Sequence, residues 1–65
     1  MIQDMIRNQW HSLRTRLREK WGKLTEEDVR GEGHRDYLVN ALQLRYGIAK
    51  EKARFEVKEF ERTLR

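Results

Sequence analysis

A few short runs in this 65-residue chain hold residue types that catalysis or ligand binding can use. His34-Arg35-Asp36 has the letters of a kinase catalytic loop, but the rest of a kinase cannot fit in a chain of this length, so the tripeptide carries no phosphoryl transfer. Gly31-x-Gly33 ahead of a helix resembles a phosphate-cradling turn. The preceding strand and the rest of that fingerprint are missing, and a plain turn is the reading. Glu26, Glu27 and Asp28 bring three carboxylates together, yet contiguous positions on a helix diverge around its axis and no calcium-loop spacing is present. His11 and His34 are the only histidines, without cysteine and without a His-x-x-x-His spacing, which leaves no metal site. No serine or lysine has a recognisable activating partner, Ser12 included. The expectation is a protein that is not an enzyme and has no cofactor.

Binding chemistry is better represented. The formal charge is +4, and it is concentrated: residues 1–23 hold six basic residues against two acidic ones, while the remainder is balanced at nine of each. Arg7, His11, Arg14 and Arg18 recur at helical spacing, one residue or about 100° away from an apolar stripe. Such a face suits weak, non-specific nucleic-acid contact, provided the arginines are exposed and unpaired; it also serves solubility alone. Trp10 and Trp21 have faces that bases can stack on, but both lie on the apolar stripe, and core packing is the expectation. Membrane association would need Trp10, Leu13 and Leu17 turned to lipid, which would empty the core.

The elements that position these residues read as helices throughout. Ile6, Trp10, Leu13, Leu17, Trp21 and Leu24 are spaced four, three, four, four and three, the stripe of one helix over about Gln3 to Trp21, with Ile2 and Met5 extending it. Trp21-Gly22-Lys23-Leu24-Thr25-Glu26-Glu27-Asp28 is a helix-stop, helix-start signal. Gly22 is expected to end the first helix in a left-handed conformation. Thr25 caps a short second helix through the amide of Asp28, with acidic residues at its positive end. A third helix runs from about His34 to Tyr46 and is closed by Gly47. A fourth runs from about Lys50 to Leu64 on the stripe Ala53, Val57, Phe60 and Leu64, with a weak start because Ala49 cannot cap.

The third helix is apolar over much of its circumference. Leu38, Leu42 and Tyr46 mark an inward face, whereas Tyr37, Ala41 and Leu44 form another, and Phe55 falls off the stripe of the fourth helix. Either the third helix is wrapped on both sides and all of these residues are core, or Tyr37, Leu44 and Phe55 are a candidate patch for a protein partner or weak self-association of an otherwise monomeric chain.

Length and composition set the frame. Residues 1–65 form one domain, and a chain of this size buries only roughly 60% of its unfolded surface. There is no cysteine and no proline, charged residues make up 40%, and no apolar run is long enough for a membrane span or signal peptide. With the Met1 start these features point to the cytoplasm. Four helices of unequal length, one of them short, suit two helical hairpins packed at a steep angle better than a long bundle.

Trp21-Gly22-Lys23-Leu24-Thr25, Gly33-x-Arg35-Asp36-x-Leu38-Val39 and Gln43-x-Arg45-Tyr46-Gly47 resemble the CsbD-like family of small bacterial stress proteins. Trp10-x-x-Leu13 and Ala53…Val57…Phe60 match as well, so the resemblance covers nearly the whole chain. It implies a bacterial source, abundance under general stress, and a SAM-type fold of two roughly orthogonal helical hairpins. It supplies no catalytic residues, because the matching positions are helix-packing and turn residues. Tyr37, Ala49 and the arginines of the first helix depart from the family pattern, which touches surface properties rather than fold.

Overall fold

The computed structural model describes residues 5–64. The expected helix start at Gln3 and the contribution of Ile2 lie outside them. Within them the chain is all-helical: α1 Met5–Asn8, α2 Trp10–Lys20, α3 Glu26–Val29, α4 Arg35–Tyr46 and α5 Lys50–Arg62. α1 packs against α2, α2 against α3, and α4 against α5.

The expected first helix is divided, which makes five helices among the described residues rather than four. The break is Gln9, at φ −114° and ψ 15°. Hydrogen bonding carries across it, with the Gln9 amide donating to Met5 at 3.1 Å and the Leu13 amide donating to Gln9 at 2.9 Å. Ile6 and Trp10 both stay buried, so the apolar stripe survives the kink.

α2 ends differently from the expectation. The positive-φ glycines are Gly31 and Gly47, and Gly22 is not among them. The chain leaves the helix through Trp21 at φ −121° and ψ 89°, and the Leu24 amide then donates to the Trp21 carbonyl at 3.0 Å. An extended exit closed by that tight turn needs no left-handed residue. Thr25 caps α3 as a full capping box: its hydroxyl accepts from the Asp28 amide, and the Asp28 carboxylate accepts from the Thr25 amide. His34 caps α4 by accepting from the Tyr37 amide, and Gly47 at φ 62° closes it with its amide on the Gln43 carbonyl at 2.8 Å. α5 begins without a side-chain cap at Ala49.

One core results, with seven large side chains from Ile6 to Val57 almost fully covered. The two tryptophans join its parts. Trp21 meets Phe60 of α5 at 5.3 Å between ring centroids. The Trp10 indole donates to the Val29 carbonyl at 3.0 Å, and its ring lies flush against Gly33. A Cβ at Gly33 would fall 2.4–2.6 Å from three atoms of that ring, so only glycine lets the α3–α4 turn settle onto Trp10.

Candidate functional site

The basic face of the first two helices does not hold its members in equivalent settings. Arg7 is exposed on α1, and His11 and Arg18 are exposed on α2. Arg14 is half-buried, and its Nη2 reaches both the Nδ1 of His11 at 2.7 Å and the carbonyl of Gly31 at 3.1 Å. A guanidinium only donates, so the His11 Nδ1 must accept here. Arg14 is thus committed to the α3–α4 turn, with its Nε buried and without a partner among the described residues. Arg18 makes no hydrogen bond or ion pair among the described residues. It lines a groove of about 410 Å³ between α2 and α3 with Arg14, Glu19, Glu26 and Arg30.

The second candidate group is similarly dispersed. Tyr37 is half-buried, with its ring edge-on to Trp10 at 5.7 Å and near His34. Leu44 and Phe55 are the exposed large apolar residues, at 74% and 59% exposure. Each stands two residues from a buried position, Leu42 and Ala53 or Val57, which turns it about 200° away from the core its helix buries.

The strongest polar constellation was not visible in the sequence. Asp28 is 9% exposed, and Arg45 of α4 grips it with two hydrogen bonds, Nε to Oδ2 at 2.7 Å and Nη2 to Oδ1 at 2.8 Å. That grip holds the Asp28 carboxyl down, from an ordinary 3.8 to about 2, against the opposing effect of burial and with help from the Thr25 amide. Arg35 makes the equivalent link at the other end of α4, where its Nε and Nη2 donate to Glu61 of α5 at 3.0 and 2.7 Å. Tyr46 completes the set: its hydroxyl accepts from the Lys23 amide at 3.3 Å and its ring lies 5.3 Å from the Lys23 ammonium. The residues of the Gln43-x-Arg45-Tyr46-Gly47 and Gly33-x-Arg35 runs are therefore occupied in joining helices. An aspartate at the third position of a capping box, with one oxygen left to share, was the only sequence signal for Arg45.

Among the described residues no three His, Asp or Glu side chains converge to hold a metal ion, and no helix is long and apolar enough to cross a membrane. Fold and polar pairings together define a small all-helical domain whose distinctive residues are architectural. No family model matches the chain. It is 44% identical over 61 residues to a UPF0337 protein of Pseudomonas aeruginosa, covering 92% of this chain and 94% of that one. A UPF0337 protein of Xanthomonas axonopodis pv. citri is 41% identical over 66 residues, 100% of this chain and 96% of its own. The UPF0337 protein YjbJ of Escherichia coli K12 is 40% identical over 62 residues, 94% and 90% of the two chains. The chain belongs to the UPF0337 family, the CsbD-like proteins. None of those names states an activity.

Proposed function

We propose that this protein is a non-enzymatic stress-response protein that acts in the cytoplasm through contact with another macromolecule. The observation that carries the proposal is the exposure of Leu44 and Phe55, two large apolar side chains on the outer sides of α4 and α5. Apolar side chains that folding leaves in water are the ones a partner can still bury, at roughly 25 cal/mol per Å² covered. The Arg35–Glu61 and Arg45–Asp28 ion pairs, by contrast, are closed on one another. A photo-crosslinking residue placed at Leu44, at Phe55 and, as a control, at Lys52 tests this in bacterial cells grown with and without stress. Stress-dependent, nuclease-resistant adducts of discrete mass from Leu44 and Phe55 alone are expected; an adduct at twice the chain mass would identify self-association as the contact. Equal labelling from all three positions, or none, refutes the proposal.

A second reading, weak nucleic-acid binding, is favoured by one observation: Arg18 is exposed and, among the described residues, unpaired beside Arg14 and His11. Each phosphate contacted adds a slope of about −0.9 to log K against log salt. Arg18→Glu is the clean variant, because Arg14 is needed by the turn. Unchanged binding in Arg18→Glu removes this reading.

A further inference from the structure

Where α4 hands over to α5, the surface is indented by an apolar notch of about 80 Å³. Trp21, Leu42, Tyr46 and Ile48 form its walls, and Lys52 and Glu56 of α5 complete the lining. Leu42 and Trp21 are 0% and 5% exposed, so the notch ends on the core. The Tyr46 wall is pinned, because its hydroxyl accepts from the Lys23 amide. Such a space equals about three water volumes, but carbon walls offer water few hydrogen-bond partners. An aliphatic group fills it better than water does.

A gap between apolar side chains is ordinary in itself; the charges around this one are not. The Lys20 ammonium stands 5.5 Å from the centre of the Trp21 ring, and the Lys23 ammonium 5.3 Å from that of Tyr46. Two walls of the notch thus each carry a cation, and Lys52 adds another from the lining. A ring face attracts an ammonium without neutralising it, and leaves N–H donors free for an acceptor. Among the described residues Lys20, Lys23, Lys52 and Glu56 are in no ion pair. The lysines therefore outweigh Glu56 and remain available. Positive charge held over aromatic walls, beside an apolar hollow, complements an anion that carries a short hydrocarbon tail.

We propose that this notch binds a small aliphatic carboxylate, with its hydrocarbon end against Trp21, Leu42 and Ile48 and its carboxylate among Lys20, Lys23 and Lys52. The ammonium–ring distances set the length of the ligand, a chain of about five carbons at ~1.5 Å per bond. The site shares no residue with the contact proposed for Leu44 and Phe55 and does not depend on it. Isocaproate is the probe, followed through amide chemical shifts of the isotope-labelled protein. Saturable shifts are expected at residues 20–24 and 46–56 and not around Trp10. Isocaproamide, which keeps the tail without the charge, should bind about three- to fivefold more weakly, the loss of one or two exposed ion pairs. Acetate keeps the charge without the tail and should bind more weakly still, since each buried methylene is worth about fourfold. Lys20→Gln combined with Lys23→Gln should narrow the gap between acid and amide. Glu56→Gln should tighten the acid about twofold and leave the amide unchanged. These variants alter side chains without an ion pair among the described residues and leave the core in place. The amide, acetate or inorganic phosphate binding as tightly as isocaproate overturns the proposal. So does an acid–amide gap that survives the double lysine change, or the absence of saturable shifts.

Discussion

Asp28→Asn keeps the size of the side chain and removes the charge on which Arg45 and the Thr25 amide converge. A carboxyl moved from 3.8 to about 2 favours its ionised form by about 2 kcal/mol at neutral pH. The asparagine amide also turns a donor toward a guanidinium that can only donate. Asp28→Asn is therefore expected to lose about 2–3 kcal/mol at pH 7, a large share of the roughly 5 kcal/mol usual for a domain at the lower end of stability. Urea unfolding followed by far-UV circular dichroism measures the loss. The pH dependence fixes its origin. The folded value lies below the unfolded one, so between them the unfolded chain binds more protons and stability rises with pH. The contribution is complete above about pH 5 and disappears as the pH falls through about 4 to about 2. The gap between wild type and Asp28→Asn, which cancels the other carboxylates, must close over that window. A gap that stays constant down to about pH 2, or that is missing at pH 7, refutes the role given to Arg45.

Gly33→Ala should be among the most damaging changes of a single methyl, costing about 2–3 kcal/mol or more, because its Cβ meets the Trp10 ring and not a flexible chain end; a thermal melt within a few degrees of wild type would contradict it. Gly47→Ala should destabilise by about 1 kcal/mol through its left-handed backbone, whereas Gly22→Ala should be neutral or stabilising by about 0.4–1 kcal/mol, and urea midpoints separate the two. Trp21→Ala removes the ring that joins α2 to Phe60 and is expected to cost roughly 3–5 kcal/mol, seen as a largely unfolded far-UV spectrum at room temperature.

The helical stripes were legible because burial obeys a 3.6-residue period: every member from Ile6 to Leu24 is buried, as are Leu38, Leu42, Ala53, Val57 and Phe60. Thr25 and Gly47 were legible because their work is local, a cap and a left-handed turn completed within a few residues. Gln9 and Gly22 were misread for a related reason. Nothing in the side chain of Gln9 announces a kink, and the exit after Trp21 is set by a backbone bond to Leu24 that any residue could accompany. Gly33 against Trp10, and Arg45 on Asp28, were invisible because they join positions 23 and 17 residues apart, a distance no periodicity spans. The basic face was read as a uniform stripe, but spacing alone cannot tell that Arg14 has turned inward to hold Gly31.

The settings of the two indoles give the molecule a pair of internal light sources that look in different directions. Trp10 is 2% exposed, bonded to a carbonyl beneath the α3–α4 turn and flanked by Tyr37, a ready donor of excitation energy. Trp21 is 5% exposed, faces Phe60 of α5 and has the Lys20 ammonium 5.5 Å from its ring. Trp21→Phe leaves Trp10 to watch the α2–α3 half, and Trp10→Phe leaves Trp21 to watch the α2–α5 seam. Coincident red shifts of the two on unfolding mean that the packing at both ends of α2 is lost together, and staggered shifts mean that the halves of this small core come apart in sequence.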